Sequence, residues 1–227
     1  TMRNDENTLK KRLKENQTQK KILTFGVTMT IGEYAIIPSL TRFIKAHPNT
    51  DFYIRYANTQ TLLTCLQEGN IDFALVEGYF KSDHYSTRIF KEEEYIAVCS
   101  TDHIFPKPVR CLKDLTCERL LLREHGSGTR AILTKTLALK NMSVEDFKNV
   151  VEVENIHTIV SLLLQDCGIA FLYKAAVEDE IARGTLRQIP LEDFQITHDF
   201  TFLWNKDSVF SGEYEEIFRE FTEIPVI

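Results

Sequence analysis

The sequence predicts an α/β fold in two lobes, and three observations support this prediction. Short apolar strands alternate with amphipathic helices along most of the chain. An apolar strand that runs through small hydroxyl residues into a helix occurs twice, around Thr28 and around Ser127. With 227 residues and 43% hydrophobic residues, the chain can bury the core of one large domain or of two small lobes.

The first half of the chain alternates strands and helices in the order that predicts a parallel sheet covered by helices. Thr30 and Glu33 have the spacing of a capping box at the first helix, which His47 and Pro48 end. Asn58 or Thr59 is expected to cap the second helix. The predicted elements are strand 22–27, helix 32–46, strand 51–56, a helix from residue 59 to Gly69, strand 73–76, and a strand pair at 86–90 and 95–99.

A second unit of the same kind is predicted from about residue 100. Ser143 is expected to cap a short turn before Phe147, and Gly168 to end a helix. The predicted elements are a short helix at 112–115, strand 119–122, helix 129–140, strand 150–154, helix 155–167, strand 169–172, helix 175–182, strands 186–189 and 200–204, and a final helix at 213–221.

Both strand-to-helix junctions have the features of an anion site. The free N–H groups at a helix start attract an anion, and Gly126 and Gly128 allow the backbone to approach a ligand closely. Ligands of open α/β sheets bind at this end of the strands. Two junctions of this kind indicate two lobes that close on one small anionic ligand.

Charge is distributed unevenly along the chain. Residues 1–21 carry a net charge of +4, which leaves −10 for the remainder of a total of −6. An acidic body is a poor electrostatic match for DNA. The basic segment is either a solvated linker or a nucleic-acid arm, and we favour the linker.

The five cysteines are odd in number and lack a C-x-x-C spacing. This favours a reducing cytosol over a disulfide framework or a zinc site, so we expect a cytoplasmic protein. Cys111 and Cys117 leave a redox switch as a minor alternative. We expect no metal and no cofactor, since neither a P-loop nor an H-E-x-x-H motif occurs.

Several segments, taken in order, resemble the effector-binding domain of LysR-type transcriptional regulators from about Ile22 to Phe202. The segment that starts at Thr28 is most similar to the branch concerned with cysteine biosynthesis and sulfur assimilation. The segments are Thr28-Met-Thr-Ile-Gly-Glu-Tyr34, Ile37-Pro38, Phe43 with His47-Pro48, Leu66-Gln-Glu-Gly-Asn-Ile-Asp-Phe-Ala-Leu-Val-Glu77, Leu121-Leu-Arg-Glu-His-Gly-Ser-Gly-Thr-Arg130 and Gly168-Ile-Ala-Phe-Leu172.

The resemblance implies two Rossmann-like lobes joined by two crossover strands, in the type 2 periplasmic-binding-protein-like fold. Residues 22–99 and 204–227 would form lobe I, residues 100–203 lobe II, and residues 1–21 the remainder of a linker. A winged helix-turn-helix would precede this chain in the full-length protein and would bind DNA. The resemblance also implies a homodimer, or a tetramer, in which helix 33–46 meets helix 155–167 of the partner.

The resemblance further implies a small anionic effector, either a sulfur-containing anion or a small carboxylate, in the cleft between the lobes. Positions that match effector contacts of the family are Thr28, Thr30, Thr59, Ser127 and Thr129. Arg130 could supply charge to the anion or pair with Glu124 or Glu33 instead. Plain helix capping is the alternative for each hydroxyl. Ile31 replaces an amide that holds sulfate in some members, which argues against inorganic sulfate. Glu77 would repel an anion unless it binds a cation or an amine of the ligand.

Two other functions remain open at this point. A solute-binding protein of a transporter would share the fold, although the free cysteines and the lack of an apparent signal peptide argue against it. A prephenate-dehydratase-like enzyme would place a catalytic T-R-F triplet at Thr41-Arg-Phe43, but here the triplet lies in the middle of a helix. We therefore expect a regulatory, non-catalytic domain.

Overall fold

The computed structural model of the chain describes residues 21–222. The predicted linker at residues 1–21 lies almost entirely outside them, since only Lys21 is described, as the first residue of a strand. The chain forms two compact units, one that ends at Lys91 and resumes at Asp199, and one that comprises Glu92–His198. The two-lobed α/β fold class predicted from the sequence is confirmed.

The first unit is built on strands β1 (Lys21–Val27), β2 (Thr50–Tyr56) and β3 (Phe73–Val76). β1 lies between β2 and β3 and is parallel to both, as the alternation of strands and helices predicted. Strand β9 (Ile196–Asn205) pairs antiparallel with β3. Helices α1 (Ile37–Ala46), α2 (Thr59–Gln67) and α6 (Ser211–Thr222) belong to the same unit.

Stacked aromatic rings form the core of the first unit. Phe73 lies parallel to Phe25 at a centroid distance of 4.8 Å and to Phe202 at 4.6 Å. Phe221 from α6 meets Phe25 edge-on. All four rings are buried, and such pairs add about 0.5–1.5 kcal/mol each beyond the burial of their area. Phe25 of the first strand is therefore held by ring contacts from β3 and from the last helix.

The second unit has the same plan. Its strands are β4 (Tyr85–Ser100, shared with the first unit), β5 (Arg119–Leu122), β6 (Asn149–Glu152), β7 (Ile169–Tyr173) and β8 (Leu186–Gln188). Its helices are α3 (Gly128–Leu139), α4 (Ile156–Leu164) and α5 (Glu178–Ala182). β5 is parallel to β6 and β7, whereas β4 is antiparallel to β7 and β8.

The structure corrects one strand prediction. The pair predicted at 86–90 and 95–99 is one continuous strand, β4. The charged run from Lys91 to Glu94 looks like a turn in the sequence, yet it stays extended, with three of its four side chains exposed and Glu93 buried. Length and charge alone could not distinguish a solvated stretch of strand from a hairpin loop.

The chain passes between the units within β4, at Lys91, and within β9, at His198. The predicted lobe boundaries, after residue 99 and before residue 204, lie close to the ends of the same two strands. The sequence shows where a strand stops, but not where along it the contacts change from one unit to the other.

Two helix predictions also need correction. Helix 32–46 is a π-helical turn, Ile31–Ala35, followed by α1. The Ile36 N–H donates to the oxygen of Ile31, five residues earlier, at 2.9 Å. Pro38, at the start of α1, has no N–H to donate. The capping box of Thr30 and Glu33 is wrong, because Thr30 is already helical and makes no side-chain cap. Helix 175–182 is likewise a short 3₁₀ turn, Lys174–Ala176, and α5.

Candidate functional site

Three predicted site residues of the first unit donate hydrogen bonds to one residue, Glu77. Thr28 directly follows β1, and Glu77 directly follows β3. The Thr28 hydroxyl donates to Glu77 Oε2 and the Thr30 hydroxyl to Oε1, each over 3.2 Å. The Thr59 hydroxyl donates to the main-chain oxygen of Glu77 over 2.8 Å. All four side chains are buried, so the carboxyl ends of β1 and β3 form one polar cluster.

This arrangement changes what the threonines can offer to a ligand. A hydroxyl group has a single hydrogen, and each of these three hydrogens is donated to Glu77. The lone pairs of Thr28 and Thr30 remain as acceptors. In this hydrogen-bonding state the cluster suits a group that brings its own hydrogen, such as a hydroxyl or an ammonium.

Thr59 is not the cap of α2. Asn58 is the N-cap, and its side-chain oxygen accepts the Thr61 N–H at 3.0 Å. Of the two caps that the sequence left open, the structure therefore selects Asn58. Thr59, the first residue of the helix, ties α2 to the end of β3 through Glu77.

The second unit places the other predicted residues at the start of α3. Gly126 has φ 89°, a backbone conformation that favours glycine, and it turns the chain between β5 and α3 as predicted. Ser127 is the N-cap, and its hydroxyl accepts the Arg130 N–H over a long 3.5 Å. Thr129 is buried in the first turn of the helix. The junction therefore combines buried hydroxyls with the free N–H groups of a 12-residue helix.

Arg130, the predicted charged contact, is engaged within its own unit. Its Nη1 donates to Glu152 Oε2 at 2.5 Å and to the main-chain oxygen of Arg123 at 3.0 Å. Its Nη2 lies 2.9 Å from His125 Nε2. Its pairing with Glu152 offsets much of the charge that the sequence analysis assigned to an effector.

Arg123 is a second arginine at this junction that the sequence analysis did not single out. It directly follows β5, and its side chain is only 3% exposed. Nε and Nη2 donate to the carboxylate of Glu124 at 2.9 and 3.2 Å, whereas Nη1 is buried and finds no hydrogen-bond partner among residues 21–222. A buried donor left unpaired costs about 1–3 kcal/mol. Its position directly after an apolar strand was the available sequence signal.

The cysteines are all reduced in this structure. The Sγ atoms of Cys111 and Cys117 lie near Asp114, the first 3.3 Å from its Oδ2 and the second 3.4 Å from its main-chain oxygen. Burial raises the pKa of the Cys99 thiol to about 11. Residues 21–222 contain no cluster of three or more side chains suited to a metal ion.

None of the helices in the described part of the chain combines the length and hydropathy needed to cross a lipid bilayer. The fold is that of a two-unit α/β domain of the type 2 periplasmic-binding-protein-like class. The family model described as "LysR substrate binding domain" matches residues 16–223. The chain therefore belongs to the LysR substrate-binding domain family, as the sequence resemblance implied.

Curated relatives are distant and longer than this chain. A probable RuBisCO transcriptional regulator of Thalassiosira pseudonana is 24% identical over 204 residues, which cover 87% of this chain and 66% of the relative. The HTH-type transcriptional regulator YeiE of Escherichia coli K12 is 24% identical over 160 residues, covering 70% and 54%. The chain thus spans about half to two thirds of these regulators.

Solved structures share the fold at low identity. The regulatory domain of Synechocystis PCC6803 CcmR in complex with 2-PG has a TM-score of 0.76 and 20% identity, covering 90% of this chain and 98% of that one. The effector-binding domain of QuiR in complex with shikimate has a TM-score of 0.73 and 16% identity, covering 89% and 97%.

Proposed function

We propose that this chain is the effector-sensing domain of a LysR-type transcriptional regulator and binds a small anionic effector. The family match and the buried Ser127–Thr129 junction at the start of α3 support the proposal. Helix N–H groups and adjacent hydroxyls favour an anion at that position. The domain itself has no catalytic role in this proposal.

The two complexes among the similar structures guide the choice of effector. CcmR is described with 2-PG, and QuiR with shikimate, a carboxylic acid that carries several hydroxyl groups. An effector of the shikimate type would offer its carboxylate to the N–H groups at the start of α3. Sulfur-containing anions are also candidate effectors, because the Thr28 segment resembles the sulfur-assimilation branch.

The mechanism we propose is differential binding. An effector that binds one conformation of the domain more tightly shifts the population toward that conformation. A coupling of about 1–3 kcal/mol between effector and DNA is typical of allosteric proteins. In the full-length cytoplasmic regulator, this shift would change the spacing of N-terminal DNA-binding domains that are held together by a homodimer or tetramer.

Exposed apolar side chains on two helices support the proposed dimer. Ile37 and Ile44 lie seven positions apart on α1, and both are more than two fifths exposed. Leu164 at the end of α4 is 39% exposed. Pairing α1 with α4 of a second copy would cover these side chains.

A ligand screen tests the proposed function. The purified chain is heated with 2-PG, shikimate, sulfate, thiosulfate, O-acetylserine or N-acetylserine, and hits are confirmed by calorimetric titration. An effector at 100 times its dissociation constant should stabilise the folded state by about 2.7 kcal/mol. Thr30→Ala and Thr129→Ala should weaken binding, and Thr61→Ala, on an exposed face of α2, should not. Binding that is unchanged in both site variants would show that the assigned threonines are structural only.

A further inference from the structure

We infer that Arg123, rather than Arg130, supplies the positive charge that holds the acid group of the effector. This inference rests on the proposed function and deepens it, because it names the ligand group and the residue that recognises it. The group is an oxyanion, that is a carboxylate, phosphate or sulfate, which matches the planar donor set of a guanidinium.

The donors of the two arginines are used differently. Arg130 makes three contacts within the second unit, through Glu152, His125 and the Arg123 main-chain oxygen. Arg123 binds Glu124 with one edge of its guanidinium, through Nε and Nη2, and within the described part of the chain its Nη1 has no hydrogen-bond partner. Of these two side chains, only Arg123 therefore keeps a buried donor for a ligand.

The position of Arg123 also matches an anion site. It is the first residue after β5, and parallel-sheet proteins bind ligands beyond this end of their strands. Its main-chain oxygen accepts from Arg130, in the first turn of α3, and the Ser127 N–H donates to the adjacent Glu124 oxygen. The guanidinium, the N-cap hydroxyl and the helix start thus belong to one short, hydrogen-bonded segment of the chain.

Glu124 sets the basal state of this charge. Its carboxylate occupies Nε and Nη2 of Arg123. An oxyanion that binds Nη1 would share the guanidinium charge with the Glu124 carboxylate, and the two negative groups would repel each other. Removal of the Glu124 charge should therefore strengthen oxyanion binding, whereas a purely structural ion pair would give no such gain.

The test is a titration of the whole chain with sodium sulfate, sodium phosphate and sodium acetate at constant ionic strength. Binding is followed by calorimetry and by the side-chain Nε–H signals of ¹⁵N-labelled arginine, in which Arg123 is identified from its absence in Arg123→Lys. The variants are Arg123→Gln, Arg123→Lys and Glu124→Gln. Arg119→Gln is the matched control, since Arg119 is exposed at the opposite end of β5.

We expect Arg123→Gln to weaken oxyanion binding about 10- to 100-fold, which is the effect of losing a hydrogen bond to a charged group. Arg123→Lys should weaken it less, Glu124→Gln should strengthen it, and Arg119→Gln should leave it unchanged. The chemical shift of the Arg123 Nε–H signal should change as the oxyanion saturates the site. Glu124→Gln and the signal test the inference even if Arg123→Gln does not fold.

Two results would overturn the inference in distinguishable ways. If an oxyanion binds with the same affinity to wild type, Arg123→Lys and Glu124→Gln, the anion site exists but Arg123 does not hold it. If none of the three oxyanions nor any ligand of the wider panel binds the wild-type chain, the proposed function fails together with the inference.

Discussion

Thr59 donates its hydroxyl hydrogen to the main-chain oxygen of Glu77 over 2.8 Å and thereby joins the start of α2 to the end of β3. The bond is buried, and it holds the residue whose carboxylate accepts from Thr28 and Thr30. The geometry of the whole cluster in the first unit therefore depends on a side chain whose sequence position resembles that of a helix cap.

Replacement of Thr59 by alanine should destabilise the domain without any ligand. The Glu77 oxygen would lose its buried donor, at a cost of about 1–3 kcal/mol in the free energy of unfolding. Urea denaturation followed by circular dichroism measures this change. Thr61→Ala is the control, since Thr61 is exposed and its main-chain N–H still reaches Asn58; an equal loss in both variants would contradict the prediction.

The acceptors around Glu77 should select effectors with a hydrogen-bond donor. Any hit from the ligand screen should bind more tightly than its analogue without the hydroxyl or amino group, by about 10-fold or more. Glu77→Gln should reduce that preference, because its amide NH₂ group would donate to one of the two threonine hydroxyls and occupy a lone pair there. Calorimetric titration of the wild type and of Glu77→Gln with each member of the analogue pair measures this preference. Glu68→Gln, on the surface, is the control. An analogue that binds equally well would show that the cluster is not a ligand contact.

The exposed side chain of Ile44 provides a test of the dimer. A charge at a self-associating apolar surface is costly to bury, so Ile44→Glu should raise the dimer dissociation constant at least roughly 10-fold. Sedimentation velocity over a range of concentrations measures the change. Ile104→Glu introduces the same charge at an 87% exposed loop position and should not alter association. A wild-type chain that stays monomeric at high concentration would refute the dimer itself.

The thiols should differ in reactivity. The raised pKa of Cys99, about 11, keeps this buried thiol protonated at pH 8, so it should react with a disulfide reagent only after unfolding. Cys117 is exposed and should react first. Because the folded pKa lies above the ordinary value of 9.0, the contribution of Cys99 to stability is present below pH 9 and falls as the pH rises towards 11. Mass spectrometry of labelled peptides identifies the order of reaction.

The sequence predicted the parallel strands and most helices because each buries a regular apolar pattern. Phe73–Val76 was predicted to the residue, since four consecutive buried positions are bounded by polar ones. β4 was divided in two, because its charged middle carries the pattern of a turn although it remains extended. The apolar periodicity of a sequence reflects burial, so an exposed stretch of strand shows no such pattern.

Among the site residues, too, the sequence revealed local features but not contacts between distant positions. The sequence placed Ser127 at a helix start correctly, because an N-cap is a local feature of a few neighbouring residues. It did not predict that Thr28, Thr30 and Thr59 all donate to Glu77, since these bonds join residues 18 to 49 positions apart. Nor did it separate Arg123 from Arg130, because the difference lies in which carboxylate each arginine meets in three dimensions.

The continuous path of β4 and β9 has a consequence for engineering. The chain leaves the first unit at Lys91 and returns at Asp199. The second unit, residues 92–198, is therefore one continuous segment, whereas the first unit is made of two segments. Both junctions lie inside strands, so the corresponding segment of another member of the family could be spliced in at the same two points. Such chimaeras would exchange the unit that carries Arg123 and α3, while the unit that carries Thr28 and Glu77 stays that of this chain.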